Sequence, residues 1–238
     1  MSPTFFGISA TAGFLFSGFY LWKRAREEHL PETEIFDVYI VISLWVILIS
    51  RIASIVLNFD KFGFDPIRWL SIFTLPGLDG LTGLITAVVM VILAAMKRHW
   101  DIWVGLDVFL PAIMIWQSFL TLTIQWPIAV IWGVFSVLLW WTEREYRFWN
   151  WYRGRRANTR PGLVAAFWLM GEGVGFTVLA LFANHVLFLA LGISMLITAV
   201  IVTYQRSGRM PKSDLMVFVN AGSRLSKIFS ARKPKQTI

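Results

Sequence analysis

Four side chains able to hold or move charge lie inside long apolar runs: Arg51, Asp107, Gln117 and Glu172. A charged group at such depth is costly unless it faces protein, water or a headgroup, so each marks a candidate site. Arg51 lies past the middle of its run, where it can hold a lipid phosphate or pair with an internal carboxylate. Glu172 sits between Gly171 and Gly173, which allow a neighbouring helix to approach closely, and an Arg51–Glu172 pair would neutralise both. Asp107 lies less than two turns inside its run and suits a solvated or capping carboxylate. Gln117 is an amide that can bridge helices or meet a lipid. These residue types predict Arg51 and Gln117 as lipid-binding and Asp107 and Glu172 as structural intramembrane charges. Asp79, at the head of another apolar run, can stabilise the positive end of a helix or act as a displaced base.

Other chemistries are excluded by what the chain lacks. It has no cysteine, hence no thiolate nucleophile and no disulfide. Its three histidines, at 29, 99 and 185, have no i, i+4 pair, so neither a metal site nor a cofactor is expected.

The elements that must position these residues are transmembrane helices. The chain has 238 residues, 57% hydrophobic and only 15% charged, against about 25% charged in soluble domains. A span needs about 20 apolar residues, because only a helix satisfies its own backbone in hydrocarbon. Seven segments qualify: Pro3–Trp22, Ile35–Asn58, Gly80–Met96, Ile102–Gln125, Pro127–Trp141, Pro161–Asn184 and Val186–Gln205. The first twenty residues carry no basic n-region and read as a retained helix. If the amino terminus is outside, regions 23–34, 97–100, 142–160 and 205–238 face the cytoplasm and hold 19 of the 22 Lys and Arg. That asymmetry predicts an all-α, seven-helix protein with its amino terminus out and its carboxyl terminus in. It also accounts for the net charge of +8 without nucleic acid. The expected organisation is a membrane domain over 1–206 and a basic cytoplasmic tail over 207–238, either solvated or lying on anionic lipid. Segment 59–79 is too polar to span, and its amphipathic stretch Pro66–Leu75 is expected at the outer interface. The fourth and fifth spans should form a tight hairpin, with Pro127 suiting a first helical turn.

Several short motifs, in order, resemble those of bacterial prolipoprotein diacylglyceryl transferase. They are Phe6-Gly7, Gly13-Phe14, Leu21-Trp22-Lys23-Arg24-Ala25-Arg26 and Ser50-Arg51-Ile52, then Gly80 and Gly83, Asp107-Val108-Phe109-Leu110-Pro111, Gln117, and Gly171 with Gly173. The resemblance covers residues 4 to 205 and implies that family's seven-helix fold in the bacterial cytoplasmic membrane. Family members transfer a diacylglyceryl group from phosphatidylglycerol to a lipobox cysteine, which requires cations for the phosphate and a base for the thiol. Departures fall on those groups. Leu78 stands at the family's His, Thr121 and Val174 at two arginines, Ile124 at an asparagine and Phe6 at a tyrosine. Neither Thr nor Val can imitate a guanidinium on phosphate. The resemblance therefore implies a divergent member that binds phospholipid, phosphatidylglycerol foremost, or a lipoprotein or other membrane protein, its transferase site lost or rebuilt. An active transferase using Arg51 is one alternative. A small-molecule transporter is another, although the sequence shows no inverted repeat of the kind transporters carry.

Overall fold

The computed structural model describes residues 3–28, 30–70, 77–123, 125–145 and 161–208. These form α1 (Pro3–Glu27), α2 (Glu32–Leu57), the short α3 (Phe59–Phe62) and α4 (Pro66–Leu70), α5 (Gly80–Lys97), α6 (Ile102–Leu122), α7 (Trp126–Glu145), α8 (Leu163–Ala183) and α9 (Val186–Ser207). No strand occurs among the described residues. Seven of the helices are long and apolar enough to cross a membrane, as the sequence predicts, and this is a membrane protein of the all-α class.

Helix ends follow local chemistry. Asp79 caps α5, accepting from the Thr82 amide at 2.7 Å, and Asp101 caps α6, accepting from the Trp103 and Val104 amides at 2.7 and 3.3 Å. Asn184 and Gly208, both left-handed, terminate α8 and α9. Some boundaries differ from the hydropathy limits. Helix α1 runs on to Glu27 and α7 to Glu145, because a last turn carrying Lys or Arg suits the negative end of the helix even where hydropathy has fallen. Helix α6 stops at Leu122, with Thr123 as its cap, before the expected Gln125. Within the amphipathic stretch expected over Pro66–Leu75, α4 covers Pro66–Leu70. Residues 71–76, and the tail beyond 208, lie outside the described residues.

Short joints make α1/α2, α5/α6, α6/α7 and α8/α9 antiparallel hairpins. The joints α1/α2 and α5/α6, the end of α7, the start of α8 and the end of α9 gather at one end of the bundle, here termed the basic end. Helix α6 is the hub, packing on α1, α5, α7 and α8. In α6 and α8, 61% of the most apolar stretch is buried, against 17–33% in the other five, so these two form the interior and the rest present apolar faces outward. Helices α8 and α9 meet backbone to backbone. A Cβ on Gly173 would stand 2.9 Å from the Gly192 carbonyl oxygen, and one on Gly192 would stand 2.8 Å from that of Gly173.

Candidate functional site

The sequence-predicted site residues fall at three levels of the bundle. Towards the end opposite the basic one, Arg51 is only 5% exposed. It donates from Nε to the Trp69 carbonyl (2.9 Å), from Nη1 to that of Gly77 (3.0 Å) and from Nη2 to that of Arg68 (2.7 Å). Its guanidinium also lies 4.8 Å from the Phe62 ring centroid. Glycine at 77 suits this close approach, since a Cβ there would sit 2.8 Å from Ser54 Oγ and 3.3 Å from Nη1. The Asp79 amide closes the same turn on the Ser50 carbonyl at 3.1 Å. A planar fork of fixed donors is well suited to three carbonyls converging from two segments. Arg51 thus fastens α4 and the approach to α5 over the end of α2.

Glu172 is not the partner of Arg51. Arg51 lies six residues before the last residue of α2 and Glu172 eleven before that of α8, so Glu172 is set roughly 7 Å further back from its own helix end at 1.5 Å per residue. Glu172 is fully buried and accepts instead from Gln117 Nε2 at 3.2 Å. Gln117 therefore faces the interior, bridging α6 to α8, rather than the lipid. Around this pair the packing is tight: a Cβ on Gly171 would collide with Met114 and Phe135, and one on Gly175 with the Trp132 indole nitrogen at 2.5 Å. Among the described residues, Gln117 Oε1, Glu172 Oε1 and the indole nitrogens of Trp116, Trp132 and Trp168 are buried without a hydrogen-bond partner. An acid–amide pair with one oxygen free on each side can take up a proton or a small hydrogen-bond donor.

Of the positions where the sequence departs from the transferase pattern, Thr121 turns its hydroxyl back to the Gln117 carbonyl at 2.7 Å, Phe6 is buried, and Leu78 and Val174 are half-buried. Ile124 lies outside the described residues.

At the basic end Asp107 is buried, and its carboxylate accepts from the amides of Gly162 (2.6 Å) and Ala165 (2.8 Å). It caps α8, a helix other than its own, where a negative charge meets the positive helix end. Arg206 secures the same turn, donating from Nε to the Pro161 carbonyl at 2.6 Å.

Beside it lies a cluster that sequence reasoning missed. Arg24 is 6% exposed and pairs with Glu27 (2.9 Å), Glu28 (2.5 Å) and Glu143, while the Tyr20 hydroxyl donates to Glu143 at 2.5 Å. Arg24 stands among basic neighbours that read as loop charge. The available signal was Glu143, the first ionisable residue after an uncharged run from Trp126. Arg98 with Glu34 (2.7 Å) and Arg26 with Glu32 (3.3 Å) add further ion pairs at this end. A cleft here is lined by Tyr20, Lys23, Arg24, Glu27, Trp140, Glu143 and Arg144. No family model matches this chain, and no curated protein matches it.

Proposed function

We propose that this protein is a phospholipid-binding member of the seven-helix architecture that it resembles in sequence, a divergent prolipoprotein diacylglyceryl transferase-like protein that does not carry out the transferase reaction. On this reading it sits in a bacterial cytoplasmic membrane, with its basic end towards the cytoplasm. The observation that carries the absence of transfer is the engagement of Arg51. Its Nε, Nη1 and Nη2 are directed at backbone carbonyls, which supports a structural role over that of a phosphate clamp. Thr121, Val174 and Leu78 supply no replacement for the cations and base that transfer needs. Lipid contact is supported by the outward apolar faces of the five peripheral spans. The test is native mass spectrometry of the purified chain. Bound phospholipid that survives mild detergent exchange, and whose stripping lowers thermal stability until phosphatidylglycerol is returned, is the expected result. A protein released free of lipid, and equally stable with or without it, contradicts the reading.

A second reading has its own observation. The unpartnered oxygens of Gln117 and Glu172, deep in the bundle, favour an intramembrane proton or cation site such as transporters use. Proteoliposomes would decide it: proton flux present in the wild type and abolished by Glu172→Gln supports transport, and flux equal in both removes it.

A further inference from the structure

Two cations at the basic end share one aromatic ring. Lys23 Nζ lies 5.7 Å from the centroid of Trp140, and the Arg144 guanidinium carbon lies 5.4 Å from it. Both are exposed, Lys23 just before the final turn of α1 and Arg144 in the final turn of α7. The carboxylates nearby are engaged: Glu143 by Arg24 and Tyr20, Glu27 by Arg24. Among the described residues neither Lys23 nor Arg144 has a carboxylate partner. Contact with a ring face positions a cationic head without consuming its N–H donors. The cleft therefore presents two donor-rich cations on one tryptophan, itself 42% exposed, at the level where tryptophans mark a membrane interface.

The surface leading from these cations towards the middle of the bundle is apolar. On α1, Phe19 and Phe16 lie four and seven residues before Lys23, on its face of the helix, and both are exposed. On α7, Trp140 and Val137 stand in the same relation to Arg144 and are also exposed. A phosphate at the top with hydrocarbon directly beneath it is the shape of a phospholipid rather than of a soluble anion.

We propose that Lys23, Trp140 and Arg144 bind the phosphate of an anionic phospholipid in the leaflet at the basic end, with its acyl chains lying along the Phe16–Phe19 and Val137 stripes. The proposal rests on the lipid-binding reading above and adds a place and a headgroup charge to it.

The test uses the full chain, with phosphatidylglycerol and phosphatidylcholine offered together and each bound lipid counted by native mass spectrometry. Lys23→Gln/Arg144→Gln should reduce retained phosphatidylglycerol roughly tenfold or more, leaving phosphatidylcholine unchanged. The control Lys61→Gln/Arg68→Gln, on exposed cations at the opposite end, should change neither. Both variants alter exposed side chains, and a matching melting temperature confirms that each is folded. Trp140→Leu should also weaken phosphatidylglycerol retention, because the cations lose the ring that holds them. Equal phosphatidylglycerol retention by the Lys23/Arg144 variant and the wild type overturns the site while leaving lipid binding standing. A wild type that retains no phospholipid overturns both. Displacement of the lipid by millimolar glycerol phosphate would overturn the lipid assignment in favour of a soluble phosphate.

Discussion

Two arginines, one near each end of the bundle, are almost equally buried, yet they are held by opposite means. Arg24, 6% exposed, is surrounded by the carboxylates of Glu27, Glu28 and Glu143. Arg51, 5% exposed, is held by the carbonyls of Arg68, Trp69 and Gly77 and by the Phe62 ring. Around Arg24 the compensation is charge for charge, and it ties α1 to α7. Around Arg51 it is charge for dipole, and it ties a non-spanning segment down onto α2. A buried arginine is thus not by itself a phosphate site. What its donors already hold decides whether any remain for a ligand, and at the basic end the exposed Lys23 and Arg144, rather than the buried Arg24, are left to meet one.

The largest loss of stability is expected at Arg24. Replacing Arg24 or Glu143 alone by leucine strands the other charge in a buried setting and should cost about 3–5 kcal/mol. Replacing both should cost less than the sum of the two. Thermal unfolding of the four proteins of that cycle in one detergent provides the check, and additive losses would show that the pair is not coupled. At Arg51 charge matters less than shape. Arg51→Lys keeps the charge but loses the fork, and should cost about 2 kcal/mol. Hydrogen exchange should then quicken in α3 and α4 and stay unchanged at the basic end; protection lost evenly across the chain would contradict the clamp.

Asp107 should show a smaller and more local effect. Asp107→Asn removes the charge from two amide bonds at the start of α8 and should cost about 1–2 kcal/mol, with faster exchange at the Gly162 and Ala165 amides as the specific sign. The smallest effect is expected at Glu172. Glu172→Gln can still accept from Gln117 Nε2 and can donate to the Gln117 oxygen, so it should change stability by less than about 1 kcal/mol. Glu172→Ala, which leaves Gln117 buried and unpaired, should cost about 1–3 kcal/mol. Equal losses in the two Glu172 variants would mean that the hydrogen-bonded pair does not form in the membrane.

The seven spans were legible in the sequence because each had to be apolar along its whole length, and the cap at Asp79 because it immediately precedes one. Glu172 could be picked out as a deep charge between glycines, but not its partner. Pairing depends on which helix faces α8 and at what height, and neither opposite charge nor position along the chain singles out the neutral Gln117 that meets Glu172. Asp107 was recognisable as a capping carboxylate, yet Gly162, at the head of the helix it caps, lies fifty-five residues later. Arg24 was concealed by its basic neighbours, since counting positive charge at a membrane edge does not reveal that one of those charges turns inward. Chain position registers depth well, but it registers contact between distant helices poorly.

Lipid held without being transferred can be tested directly. Purified protein reconstituted with phosphatidylglycerol and a lipobox peptide offers the direct measurement, with the modified peptide quantified by mass spectrometry. No diacylglyceryl peptide should form above the protein-free control, while phosphatidylglycerol stays bound. Steady formation of diacylglyceryl peptide that disappears in Arg51→Ala would contradict this and establish a transferase site rebuilt around that arginine.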